Sequence, residues 1–157
     1  MKEVYGVTGM PLSGKTTVAD MLEEEGFEPV DMGDVVREKM REQGYEVGSE
    51  EGEFVEHQRE KHGMDAIARL TVPYVEEALE RSDKVVITGM RGWKEKERFE
   101  EELGEDLEVV AVWASRETRK KRREERQRKE DVEGQGFHER DLREIQNGVG
   151  KLMALSD

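Results

Sequence analysis

Residues Gly9-Met10-Pro11-Leu12-Ser13-Gly14-Lys15-Thr16 follow the spacing G-x-x-x-x-G-K-T, a pattern able to cradle phosphates. Glycines let the backbone aim several N–H groups at one point, and a lysine and a hydroxyl follow where a helix begins. Val4-Tyr5-Gly6-Val7, just before, is β-branched and aromatic, as a strand would be. Val18, Met21 and Leu22, just after, recur at helical spacing, and Gly26 suits a helix stop. Strand, glycine-rich turn and helix in that order turn the first N–H groups of the helix toward an anion. On this reading Gly9, Met10, Pro11, Leu12, Ser13, Gly14, Lys15 and Thr16, with Thr17 next in line, bind a nucleoside triphosphate. Lys15 reaches its β- and γ-phosphates and Thr16 holds Mg²⁺. The competing reading is a chance match in a glycine-containing loop.

The other chemistry-bearing residues are mostly arginines and carboxylates. Asp31 and Asp34 follow a short apolar stretch, Phe27 to Asp31. Asp34 reads equally as a helix N-cap or as a group that orients an acceptor hydroxyl or a magnesium-bound water. Asp31 has similar standing as a general base. Residues 116–131 hold nine Lys/Arg and five Asp/Glu, a net of +4, while the remaining chain carries −17. A basic island in an acidic chain suggests a polyanionic small ligand. A solvated helix laced with pairs such as Glu117–Lys121 is the plainer account of about half those charges. Arg119, Arg122 and Arg126 share one face by their +3 and +4 steps, which favours them for ligand contact. Arg140 and Arg143 read mainly as a structural pair, His57, His62 and His138 as surface residues, and Trp93 and Trp113 as packing residues.

These residues need elements to hold them. The apolar pattern predicts strands at 4–8, 27–31, 84–88 and 107–113. It predicts helices at 14–25, 33–43, 64–81, 93–103, 116–130 and 138–146, and a last helical stretch to Leu155. Pro73 lies inside the 64–81 pattern and should kink it or start a second helix. Residues 44–63 are polar and glycine-punctuated, which predicts a mobile, partly helical insertion. Gly134 and Gly136 should break the basic helix. Strands alternating with helices imply an open parallel α/β sheet with right-handed crossovers. Ligands then bind at the carboxyl ends of the strands, where the candidate residues fall.

With 157 residues, one compact domain is expected. No apolar run approaches membrane length and no signal peptide is evident. The chain has no cysteine, which excludes disulfides and thiolate metal sites and is compatible with the cytoplasm. A net charge of −13 argues against a general binder of nucleic acid or anionic membrane. The oligomeric state has no signature.

The ordered motifs resemble the nucleoside monophosphate kinase branch of P-loop proteins, which includes adenylate and cytidylate kinases and dephospho-CoA kinase. Within it the chain is most similar to an archaeal group of predicted nucleotide kinases of unassigned substrate. The resemblance runs over most of the chain. The loop with Pro11, Ser13, Gly14 and Lys15 looks like the kinase form of the P-loop. Gly33-Asp34-Val35-Val36-Arg37 is similar to the G-D-hydrophobic-hydrophobic-R segment of adenylate kinases, which implies that Arg37 binds the acceptor's phosphate. Gly89-Met90-Arg91 takes the place of the family's G-x-(P)-R turn and implies the same of Arg91. Arg119, Arg122, Arg126 and Arg128 sit where such kinases carry lid arginines. The resemblance implies a P-loop NTP hydrolase fold with about four or five strands in the order 2-3-1-4-5. It implies a single domain, with an acceptor-side insertion at 44–63 and a lid at 116–136.

The implied activity is transfer of the γ-phosphate of ATP, with Mg²⁺, to a nucleotide-like small molecule. Arg37, Arg91 and Asp31 would hold the acceptor. Lys15, Asp34, Arg122 and Arg126 would act on the transferring phosphate, and Arg119 would touch the nucleotide. Two residues depart from the pattern. Leu12 stands where these kinases usually have glycine. Thr88 replaces an aspartate that often ends the third strand and helps hold Mg²⁺ through water. These departures motivate an alternative, an ATP-binding switch or slow ATPase that acts on a protein partner. An RNA-end kinase would draw only on the basic helix, and the acidic remainder weighs against it.

Overall fold

The computed structural model describes residues 1–127 and 136–157. Four strands form one parallel sheet: β1 (Glu3–Gly9), β2 (Glu28–Asp31), β3 (Lys84–Thr88) and β4 (Leu107–Val112), in the order β2-β3-β1-β4. β1 lies between β3 (Val4 opposite Val85) and β4 (Val4 opposite Leu107), and Val30 of β2 faces Ile87. This is the order 2-3-1-4 of the expected P-loop α/β fold. A fifth strand is absent among the described residues. At the open edge the Asp157 N–H donates to the Val109 carbonyl at 3.0 Å, and the Val109 N–H donates to Asp157 Oδ2 at 2.9 Å.

Strand alternation sorts the core into two clusters. Val7 and Val86 face Phe27, Val18 and Leu22, beneath α1 (Lys15–Glu24). Val4, Val85, Ile87 and Val109 face the larger cluster. That cluster is built with α2 (Met32–Glu42), α3 (Glu51–His62), α4 (Ala66–Arg81), α5 (Trp93–Leu103) and α8 (Val149–Ala154). Helices therefore cover both faces, which suits strands with near-continuous apolar runs. α6 (Arg116–Gln127) and α7 (Phe137–Gln146) complete the chain order. Among the described residues no helix is long and apolar enough to cross a membrane.

Several expectations change. Pro73 starts no second helix; α4 runs through it from Ala66 to Arg81. The 44–63 insertion is anchored more firmly than its polarity suggested. Phe54 of α3 is fully buried, with Tyr45 edge-on to it at 5.2 Å, and Gln58 is buried one turn later. Trp113 does not pack, being 76% exposed, whereas Trp93 is half-buried with Lys96 Nζ 4.9 Å from its ring. Arg128, Gly134 and the middle of the expected lid lie outside the described residues.

Candidate functional site

The loop between β1 and α1 is shaped by its backbone. Gly14 N-caps α1 in the left-handed region at φ 101°, and no side chain caps the helix. The first-turn N–H groups are thus left to face an anion. A Cβ on Gly9 would sit 2.5 Å from the Val112 carbonyl oxygen and 2.6 Å from Ser13 Oγ, so no larger residue fits. Ser13 Oγ is buried without a hydrogen-bond partner among the described residues. A buried hydroxyl left open in a loop of converging N–H groups fits a phosphate oxygen as its missing partner.

Lys15 Nζ donates to the Gly9 carbonyl at 3.0 Å. Burial holds the Lys15 ammonium below its ordinary range. Glu144 draws it back up, and Arg91 and Arg140 push it down. Thr16 and Thr17 are exposed in the first turn of α1. No cluster of three His, Cys, Asp or Glu that could hold a metal occurs among the described residues. A Mg²⁺ ion would therefore take its ligands from Thr16, phosphate oxygens and water.

Leu12 adopts φ 65°. That explains why glycine is usual at this position: a left-handed backbone costs a side-chain-bearing residue about 1–2 kcal/mol. Replacing Leu12 with glycine should remove this strain and add about 0.5–1 kcal/mol of chain entropy to lose on folding. Stability should stay within about 1 kcal/mol of the parent, read by chemical denaturation. A larger loss would show that the Leu12 side chain, rather than its backbone, holds the loop.

The carboxyl ends of β2 and β3 carry the next residues. Asp31, not Asp34, is the N-cap of α2; its Oδ1 accepts the Gly33 N–H at 3.0 Å. Asp34 lies in the first turn and hydrogen-bonds Arg37, whose guanidinium also lies 3.6 Å from Asp31. Arg37 is therefore occupied by two carboxylates of its own segment. Gly89, at φ 88°, passes so close to Asp31 and Met32 that a Cβ would be 3.3 Å from each. Thr8 Oγ1 donates to the Met90 carbonyl at 2.9 Å, tying β1 to this turn. Arg91 follows, with its Nε 3.2 Å from Glu144 Oε2. Glu95, fully buried, accepts the Arg91 and Gly92 N–H groups on Oε1 at 2.8 and 3.0 Å and so fixes the start of α5. Burial pushes the Glu95 carboxyl up, against the pull of those N–H groups and of Arg59 and Arg91.

The basic helix α6 splits its arginines between two tasks. Arg119 is buried, contrary to its expected contact with the nucleotide. Its Nη1 and Nη2 donate to the two Asp141 carboxylate oxygens at 2.8 and 2.9 Å, and Nη1 also donates to the Pro11 carbonyl at 3.3 Å. The Phe137 ring lies 5.0 Å from its guanidinium carbon. Arg122 Nη1 donates to the Leu12 carbonyl at 2.8 Å. Arg126 is exposed and lines the cleft.

α7 turns two acids inward, Asp141 and Glu144, while Leu142 and Ile145 are about half exposed. The sequence reading missed both acids. Their signal was an i, i+3 acidic stripe directly after a basic helix. It also missed Arg59 and Glu95, and it underrated Arg140 and Arg143, which line the cleft.

Together these elements enclose one cavity of about 1140 Å³. Its lining includes Pro11 and Leu12 of the P-loop, Arg37 and Arg91, the α3 residues Val55 and Arg59, and Arg126, Arg140 and Arg143. Among the expected site residues, Arg37, Arg91 and Arg126 therefore share one cleft with the P-loop. Asp31 and Asp34 stand behind Arg37, and Arg119 stands behind the loop.

Known proteins resemble this chain in sequence. The family profile AAA_18, described as an AAA domain, matches residues 6–144. A UPF0200/UPF0201 protein of Archaeoglobus fulgidus is 40% identical over 157 residues, covering 99% of this chain and 49% of its own length. A UPF0200 protein of Pyrococcus furiosus is 40% identical over 154 residues, covering 96% of this chain and 83% of its own. The chain thus spans about half the length of the first relative and about four fifths of the second. An unliganded sugar kinase from Janibacter sp. HTCC2649 aligns at a TM-score of 0.48 and 18% identity, over 86% of this chain and 70% of that one. With its P-loop inside the matched region and relatives at this identity, the chain belongs to the AAA_18 family of AAA domains and to the archaeal UPF0200 group.

Proposed function

We propose that the protein transfers the γ-phosphoryl group of ATP to a nucleotide-like small molecule that itself carries a phosphate. The observation that carries this reading is the shared cavity, which Pro11 and Leu12 of the P-loop line together with Arg37, Arg91, Arg126, Arg140 and Arg143. Phosphoryl transfer needs positioning and charge neutralisation more than covalent help, and this cavity supplies arginines for both, although Glu51, Glu56, Glu60, Asp141 and Glu144 line it as well. In the reaction an acceptor phosphate oxygen bonds to the γ-phosphorus, the β–γ bridging P–O bond breaks, and ADP leaves. The nucleophile is already ionised, so no general base is required.

Lys15 leaves the Gly9 carbonyl for the β- and γ-phosphate oxygens. Arg122 leaves the Leu12 carbonyl, and with Arg126 it meets charge on the transferring group. Arg119 holds the loop from behind rather than touching the nucleotide. Mg²⁺ bound beside Thr16 would neutralise charge on the β- and γ-phosphate oxygens.

Thermal melting tests this reading. ATP–Mg²⁺ at a hundred times its dissociation constant should add about 2.7 kcal/mol of stability. One of a panel of nucleoside monophosphates should add more, and the same acceptor should yield a nucleoside diphosphate; transfer to a nucleoside or to dephospho-CoA instead would overturn the phosphate-acceptor step. ATP stabilisation with slow hydrolysis and no acceptor would move the reading to a regulatory ATPase. Thr88 favours that second reading: it ends β3 without the carboxylate that would help hold the metal, and the nearest substitute is Asp31, its register partner on β2.

A further inference from the structure

The arginines on the acceptor side of the cleft differ in how their charge is met. Arg37 is held by Asp34 and Asp31, and Arg91 by Glu144. Arg59, on α3, lines the same cavity but has no carboxylate in ion-pair range among the described residues. Its Nη1 donates to Asn147 Oδ1, a neutral amide, at a long 3.3 Å. Its Nε is buried and has no hydrogen-bond partner among the described residues. The carboxylate that acts on it through space is Glu95, whose Oε1 is already taken by the Arg91 and Gly92 N–H groups.

A half-buried guanidinium with no carboxylate in direct contact and an open buried N–H is costly unless a partner arrives. The partner that fits its planar fork is an anion with two oxygens, above all a phosphate. Val36 and Val55 line the same cavity and offer an apolar wall to a ring attached to that phosphate.

We propose that Arg59 binds the phosphate of the acceptor, beside Arg91, and that Arg37 mainly braces the first turn of α2. The acceptor class is a nucleoside monophosphate. Naming the anion as the acceptor's phosphate rests on the kinase reading above; the anion site itself does not. α3 thereby gains a task that its polar sequence conceals: it carries a substrate contact and, through Asn147, reaches the junction of α7 and α8.

The test is side-chain NMR of the full chain, with the Arg59 Nε–H resonance assigned by its loss in Arg59→Lys. Inorganic phosphate is titrated first, then AMP, CMP, GMP and UMP. The expected result is a saturable shift of that resonance by phosphate and a tighter one by at least one monophosphate. Arg59→Gln should weaken that monophosphate by about 10- to 100-fold, the effect of losing hydrogen bonds to a charged group. It should leave the melting shift caused by ATP–Mg²⁺ unchanged, and Arg59→Lys should recover part of the loss.

An Arg59 resonance unmoved by phosphate and all four monophosphates would overturn the proposal. So would an Arg59→Gln protein that binds the monophosphate within twofold of the parent. A purely structural strut would lower the unliganded melting temperature and leave the resonance indifferent to phosphate, which also counts against it. Should ATP fail to stabilise the protein while phosphate moves the Arg59 resonance, the kinase reading falls and the anion site stands.

Discussion

Asp141→Ala is expected to cost about 3–5 kcal/mol of folding stability, because it strands the Arg119 charge in the interior. The two side chains are only 7% and 8% exposed and share a bidentate pair. The Arg119 Nε already lacks a partner among the described residues, so little remains to compensate the loss. For a domain of this size the melting temperature should fall by roughly 10 °C, and added salt should not restore it, since a buried pair is weakly screened. The double variant Arg119→Met with Asp141→Leu should recover most of the stability, as apolar residues of similar volume often replace a buried ion pair without loss. It should not recover nucleotide affinity in full, because the Arg119 bond to the Pro11 carbonyl is gone. Denaturation midpoints and ATP melting shifts for the parent and the two variants check this. A single variant that melts within a degree of the parent would mean that the pair is not a structural element.

Lys15→Met is expected to reduce phosphoryl transfer, or hydrolysis if that is the activity, by about 100- to 1000-fold, the usual loss when one preorganised charge donor is removed from a reacting centre. The fold should survive, since among the described residues the lysine ammonium hydrogen-bonds its own loop, at the Gly9 carbonyl. The same lysine gives a signature that needs no turnover. Burial keeps its ammonium below the ordinary range in the free protein. A triphosphate placed against it favours the charged form and raises it. Between those two values the free lysine is partly neutral and the bound one protonated, so nucleotide binding at alkaline pH should take up protons. Calorimetry in buffers of different ionisation enthalpy measures that uptake, and Lys15→Met should abolish it. Uptake unchanged in the variant would assign the proton to another group.

Much of the molecule could be read before its structure. The strand positions followed from short apolar runs whose two faces are both buried, and the P-loop followed from spacing alone. Legibility failed where a residue's meaning depends on what lies across space. The pattern offered Asp34 as the helix cap, and the start of α2 at Met32 gives that place to Asp31 instead. α7 offered an apolar stripe at Leu142 and Ile145 and an acidic one at Asp141 and Glu144. Hydropathy would bury the first. The arginines of α6 and the cleft bury the second. Arg59 stood in a polar stretch whose single fully buried aromatic, Phe54, seats the helix that points it into the cavity. Trp113 looked like core because aromatic residues at a strand end commonly are, yet it lies just beyond the last paired residue of an edge strand.

The sheet also sets when the binding loop can exist. β1 is the first strand made, yet both of its neighbours come late: β3 begins at Lys84 and β4 ends at Val112. During synthesis at about 5–20 residues per second, β1 waits roughly 5–20 seconds for the last of its partners. Throughout that interval Gly9 has no Val112 carbonyl beside it, and the loop has no Arg119 or Arg122 behind it. The nascent chain thus carries the nucleotide motif at 9–17 before the pocket around it has formed. A nucleotide would meet a finished site only after the basic helix has emerged, so it would stabilise the completed domain rather than template its folding.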